Sequence, residues 1–272
     1  MRKIVLLCSF FLLCSIFLCA FTTKSGTDTD PKDGKHMPSL LSGRAESAAA
    51  NSLVDSLYTG IHLEEAGLSR DAFFKAYNGY QYLLSKNKLE KKDLLTICDY
   101  TKSSSQKRLY VIDLAAGKLL FNTFVAHGHN SGSTMATSFS NINSSNKSSE
   151  GFLVTAETYV GHNGYSMRFD GMEKDYNGNV RNRDVVMHGS DYVCAERAAT
   201  GAMMGRSWGC PAVPRRDCNQ IIDEIKGGSC FFIYTNDPVY AHSSPILNAR
   251  FEWPSLTLPT PTLEEVVVAP QQ

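Results

Sequence analysis

The chain has no excess charge of either sign. Lysine plus arginine number 27, and aspartate plus glutamate also number 27. A neutral chain offers no electrostatic footprint for nucleic acid, so a polyanion-binding role is disfavoured. No two cysteines stand as a CxxC pair, which removes support for a zinc ribbon. Beyond residue 20 no long apolar run occurs, so hydropathy gives the body of the chain no spanning helix. No internal repeat is visible. Hydrophobic residues at 43% and charged residues at 20% exclude wholesale disorder, and 272 residues suggest one or two domains.

What is present begins with a targeting pattern. Arg2 and Lys3 precede an apolar run from Ile4 to Ala20, a charged region followed by a hydrophobic one, as in an export signal. Leu18, Cys19 and Ala20 offer a cleavage site. The competing reading is a retained anchor, but the run is short for a span and is interrupted by Ser9 and Ser15. Membrane contact is therefore expected only through residues 1–20, and the mature protein is expected in the cell envelope. Cleavage leaves 25 basic against 27 acidic residues, a net charge of −2. Five cysteines then remain, Cys98, Cys194, Cys210, Cys218 and Cys230. The odd count leaves at least one thiol unpaired, and the sequence does not set any pairing.

Residues 21–50 are rich in Thr, Ser, Gly, Asp and Lys and read as a flexible linker. Leu53, Val54, Leu57, Tyr58 and Ile61 recur at helical spacing. A second helix is expected from Ser69, a good N-cap, with Phe73, Phe74, Tyr77 and Leu84 as its buried stripe. This gives a helical N-terminal region over 51–92. Strands are expected at 94–100, 108–114, 118–125, 151–158, 184–187 and 230–235, with turns at Asp170-Gly171 and Asn177-Gly178. The fold class is α+β, with a mostly β domain over 93–240 and an irregular tail over 241–272. Between the strands lies a Ser- and Asn-rich stretch, 131–150, and a loop that long is usually functional or mobile.

The chemistry concentrates in two segments. His188-Gly189 lies at the end of an expected strand, and 205–212 reads GRSWGCPA, with Ser207, Trp208, Gly209 and Cys210 in succession. A free thiol is mostly protonated at neutral pH, and a neighbouring imidazole can take that proton and later return it to a leaving amine. Gly209 permits close backbone approach to a substrate, and N–H groups near Gly209 and Cys210 suit an oxyanion. One cysteine and one histidine alone fit a structural reading at least as well.

These residues resemble the L,D-transpeptidase catalytic domain, the YkuD-like fold, and its murein L,D-transpeptidase subgroup in particular. The likeness rests on HG at 188–189, GRSxGCPA at 205–212, VAHGHNSG at 125–132, FSN at 139–141 and IKGGS at 225–229. It covers roughly residues 55–237. The resemblance implies Cys210 as nucleophile, His188 as general base and acid, and the Gly189 carbonyl as the group that orients the imidazole. It implies Gly209 and Cys210 N–H groups as the oxyanion hole and Ser207 as a brace. The implied substrate is a peptidoglycan stem peptide, joined 3→3 through a thioester without a cofactor. The alternatives are an L,D-carboxypeptidase or cysteine peptidase that passes the acyl group to water, and a wall-binding protein without catalysis.

The sequence departs from that pattern at three points. Trp208 stands where many members have histidine, Ala212 stands where many have arginine, and the 22 positions from His188 to Cys210 form a long interval. Arg206, Trp208 and His127 are the candidates for substrate contact. Arg168 is a weaker one, better read as a surface ion pair. His127 and His129, spaced i and i+2, would share one side of a strand. No third ligand stands near them, and no metal is expected. Asp175, Asn177 and Asn179 imitate a calcium loop, but Val180 and Val186 occupy its essential Gly and Glu positions.

Overall fold

A computed structural model describes residues 40–204, 206–251 and 253, with side chains from residue 50 onward. The expected signal at 1–20, most of the expected linker and the tail beyond 253 lie outside the described residues. No described helix is long and apolar enough to cross a membrane.

The first helix, α1, spans Leu40–Gly60. Its first eleven residues, 40–50, fall in the segment the sequence suggests as linker and are helical instead. Residues 45–50 contain four alanines, and alanine loses no side-chain entropy in a helix. The second helix, α2, spans Arg70–Ser85. It starts where the sequence places it, because the Ser69 hydroxyl accepts the Ala72 N–H at 3.1 Å. Asp71 in its first turn complements the helix dipole.

Eight strands form one sheet. They are β1 (Leu94–Asp99), β2 (Leu109–Asp113), β3 (Lys118–Thr123), β4 (Gly151–Gly161), β5 (Gly164–Gly171), β6 (Val186–Ser190), β7 (Ala212–Pro214) and β8 (Cys230–Tyr234). Their order is β3-β2-β1-β8-β4-β5-β6-β7. The pairs β1–β8 and β6–β7 are parallel and the others antiparallel. β5 was not anticipated, and Asp170-Gly171 closes this strand instead of forming an isolated turn. Three further helices are α3 (Ala195–Ala199), α4 (Arg215–Ile225) and α5 (Pro238–Ser243).

The central strands are buried on both faces, which explains their nearly continuous apolar runs. In β8, Cys230, Phe232 and Tyr234 join a core with Val54, Phe73, Tyr77 and Leu83 of α1 and α2. Phe231 and Ile233 point the other way, into a core with Ile221, Ile222 and Ile225 of α4. β1, β2 and β4 divide by the same period of two, with Ile97, Ile112 and Phe152 on the first side and Cys98, Val111 and Leu153 on the second. Each fully buried Phe contributes about 1.5–3 kcal/mol over its exposed state. From Arg44 onward the chain therefore packs as one unit. The packed body also continues past Ala241, where the sequence suggests an irregular tail. There the Tyr240 and Ser244 hydroxyls donate to buried Glu173, and Ile246 is buried.

Candidate active site

The parallel β6–β7 pair at the end of the sheet organises the site. Its register sets His188 opposite Ala212, Gly189 opposite Val213 and Ser190 opposite Pro214. The chain leading into β7 carries Cys210, two residues before the partner of His188. The half-buried Cys210 sulfur accepts the Val186 N–H at 3.4 Å, and its S–H faces the Asp184 carbonyl at 3.6 Å. Val186 and His188 are alternate residues of β6 and project to one face. Thiol and imidazole are thus anchored on the same stretch of one strand, and no hydrogen bond joins them directly.

His188 is buried, and its Nδ1 donates to the Gly189 carbonyl at 3.2 Å. A carbonyl can only accept, so Nδ1 carries the proton and Nε2 keeps its lone pair in the neutral ring. Burial pushes the imidazole below its ordinary value; the Gly189 carbonyl opposes this, and the Arg215 charge adds to the lowering. Burial pushes the Cys210 thiol up, while the Val186 N–H and the Arg183 charge pull it back. Both groups are consequently neutral at rest, an imidazole able to accept a proton and a thiol that still holds one. Gly189 also lets α4 approach β6. A Cβ there would lie 3.0 Å from Cys218 Cβ and 3.1 Å from Arg215 Cα.

The 207–210 loop is closed from within. The Ser207 hydroxyl donates to the Cys210 carbonyl at 2.6 Å and accepts the Gly209 N–H at 3.2 Å. This corrects one expectation, since the Gly209 N–H is engaged with Ser207 and does not point at a substrate oxygen. The Cys210 N–H has no partner among the described residues and is the available donor. Gly209 adopts φ +120°, and a Cβ there would meet the Lys147 carbonyl at 2.7 Å.

Of the expected substrate contacts, only Trp208 opens to solvent, at 80% exposure. With Asn143, Ser144, Asn146, Asn182, Arg183 and Asp184 it lines an open pocket of about 430 Å³. Ser144, Asn146 and Asp184 all have positive φ, between 50° and 58°. Backbone strain of this kind concentrates at functional sites. Arg206 does not line this pocket; its Nη1 donates to the Gly132 carbonyl at 3.2 Å. Arg168 is held in ion pairs with Asp184 at 3.0 Å and Glu157 at 3.8 Å, in keeping with its reading as a surface ion pair.

His127 is corrected. It is buried, and buried Arg108 donates to its Nδ1 at 2.9 Å. Because arginine only donates, the ring is neutral with its proton on Nε2, and burial with the Arg108 charge pushes its pKa down to about 4. His129 is exposed, so the two rings do not share an environment as the i, i+2 spacing suggested. All five cysteines of the described residues are free, including Cys194 and Cys218.

Sequence reasoning missed Arg183. Its one available signal was position, a charged residue three positions before the strand that carries His188. The Nη1 group donates to the Ser140 carbonyl at 2.5 Å and to Ser149 Oγ at 2.7 Å. The Nη2 group donates to Ser145 Oγ at 3.1 Å and to the Lys147 carbonyl at 2.6 Å.

The half-buried Cys210 thiol and the tautomer-fixed His188 imidazole are thus both held by β6. The family described as L,D-transpeptidase catalytic domain matches residues 64–234, and the chain belongs to that family. Among solved structures it is similar to an L,D-transpeptidase from Mycobacterium smegmatis, with 11% identity over 53% of this chain and 59% of that one and a TM-score of 0.33. It is also similar to L,D-transpeptidase 1 of Mycobacterium tuberculosis, with 12% identity over 53% and 62% of the two chains and a TM-score of 0.30. A third is the L,D-transpeptidase from Stackebrandtia nassauensis, with 17% identity over 61% and 68% and a TM-score of 0.32. The chain thus spans 59% of the length of the M. smegmatis protein. No curated protein matches the chain.

Proposed function

We propose that the protein is an exported, cysteine-dependent peptidoglycan L,D-transpeptidase that forms 3→3 cross-links. The observation that carries this reading is the Nδ1–H bond of His188 to the Gly189 carbonyl, which leaves Nε2 as the base on the strand that anchors the Cys210 sulfur. Nε2 takes the thiol proton as sulfur attacks the stem carbonyl that follows the third-position diamino acid. The Cys210 N–H stabilises the oxyanion. The imidazolium returns its proton to the departing amine, the terminal D-alanine leaves, and a thioester remains. The amine of a second stem then attacks the thioester, loses a proton to His188, and releases the Cys210 thiol. Water in place of that amine gives a trimmed stem, the carboxypeptidase outcome.

Export and location in the cell envelope follow from the same reading, because the stem peptide is an envelope substrate. The test is incubation of purified protein with tetrapeptide-stem muropeptides, read by mass spectrometry. Cross-linked dimers are expected from the wild type and none from Cys210→Ala. Trimmed tripeptides alone would replace the reading with carboxypeptidase, and unchanged muropeptides that are nonetheless bound would replace it with a wall-binding role.

A further inference from the structure

Arg183 stands apart from the other arginines near the site. It makes no ion pair with any carboxylate among the described residues, whereas Arg168, Arg181 and Arg215 all do. Its four terminal N–H groups go instead to neutral oxygens, all from the 140–149 loop. The same guanidinium lines the Trp208 pocket, and its Nη2 lies 3.4 Å from where a Gly209 Cβ would stand. The next residue, Asp184, offers the carbonyl that faces the thiol proton. A half-buried cation with no counter-ion is costly unless something else takes up its charge.

Among the described groups around the Cys210 sulfur, Arg183 is the one free positive charge. Asp184 is negative but paired with Arg168 at 3.0 Å. His188 is neutral at rest. Tyr192 contributes a phenol kept protonated by burial. Lys147 turns its amine away, onto Ser138 Oγ at 2.7 Å.

We propose that Arg183 is a positioning residue for the Cys210 thiolate: it fastens the 140–149 loop beside the nucleophile and presents the positive charge that the thiolate faces when it forms. The proposal rests on Cys210 being the nucleophile. Loop and charge are coupled through one planar fork, since the donors that satisfy the loop carbonyls also fix the guanidinium beside Gly209. The charge is uncompensated at rest and compensated once the thiol ionises. Lysine can keep the charge but cannot reproduce a planar fork reaching four acceptors.

The test uses the full chain as wild type, R183K and R183M. Iodoacetamide labelling of Cys210 and of half-buried Cys194 is followed by mass spectrometry from pH 6 to 10, alongside hydrogen exchange of residues 140–149 and circular dichroism. In R183M the pH midpoint for Cys210 labelling is expected to rise by about one unit, with roughly tenfold slower labelling at pH 7. In R183K the midpoint is expected to stay near that of the wild type while loop exchange accelerates. A folded R183M with the wild-type midpoint overturns the proposal and leaves the nucleophile reading standing. Wild-type Cys210 labelling no faster than Cys194 overturns both. If R183M does not fold, R183K decides: an unshifted midpoint with faster loop exchange supports the proposal, and unchanged loop exchange overturns it.

Discussion

Ser207 and Cys210 are joined by a hydroxyl-to-carbonyl hydrogen bond of 2.6 Å, which closes the 207–210 loop on itself. The same hydroxyl accepts the Gly209 N–H, so one side chain holds both Gly209 and Cys210. Ser207→Ala removes both bonds. Stability is expected to fall by about 1–2 kcal/mol in urea titration. Muropeptide turnover is expected to drop at least tenfold, and Ser207→Thr, which keeps the hydroxyl, is expected to restore most of it.

His188→Ala is expected to slow acylation about 10²–10⁴-fold, the usual worth of a positioned acid–base group. Burial holds the imidazole below its ordinary value, so the wild-type base stays deprotonated at neutral pH. The acidic limb of kcat/KM is therefore expected below pH ~6.5 and should vanish in the variant. A limb centred at or above pH 6.5 would contradict the assignment of His188.

Gly189→Ala places a methyl 3.1 Å from the Arg215 Cα and 3.0 Å from Cys218 Cβ. Backbone cannot yield as a flexible side chain does, so α4 must shift. A loss of about 1–3 kcal/mol is expected in denaturant titration. Cys218→Ala in the same chain removes only the Sγ contact at 3.4 Å and keeps the Cβ, so little recovery of stability is the expected result.

Trp208→Ala tests substrate contact without touching the core. The indole is 80% exposed, so stability is expected to change by less than about 0.5 kcal/mol. A rise in KM for muropeptides with little change in kcat is the expected kinetic signature. Unchanged KM would remove Trp208 from the binding surface.

Glu150 gives a pH signature to the fold. It is buried, takes a hydrogen bond from the Thr235 hydroxyl at 2.7 Å, and burial pushes its pKa up to about 7. The folded state therefore holds a proton that the unfolded chain releases near pH 4.5. Its contribution is full below that pH and is lost as pH rises toward 7, on the order of 2–3 kcal/mol. Glu150→Gln is expected to flatten the stability profile over that window in thermal melts at stepped pH.

Much of the architecture is legible where local signals and packing agree. The hairpin at 108–125 shows two apolar runs around Gly117, and Ser69 marks the start of α2. β5 carries an alternating stripe, Tyr165, Met167 and Phe169, which the intervening Arg168 and Asp170 obscure. α4 likewise buries Cys218, Ile221, Ile222 and Ile225 at helical spacing. β7 is three residues long and is held by pairing with β6 and by an Ala126–Ala212 bridge. In the site, Cys210, His188, Gly189 and Ser207 are readable from local motifs. The burial of His127 is not, because it depends on Arg108, 19 positions away. Arg183 is hidden for the same reason, as its acceptors lie 34 to 43 positions upstream.

The shared core of α1, α2 and β8 has a practical meaning for dissecting this chain. A fragment that starts at residue 93 keeps both the thiol and the imidazole, yet it strips the cover from Phe152, Phe232 and the inner face of the sheet. Such a piece would carry a broad greasy wall into water and cluster with its own copies. The stretch before the first strand is half of the scaffold on which the chemistry stands, and it has to travel with the rest.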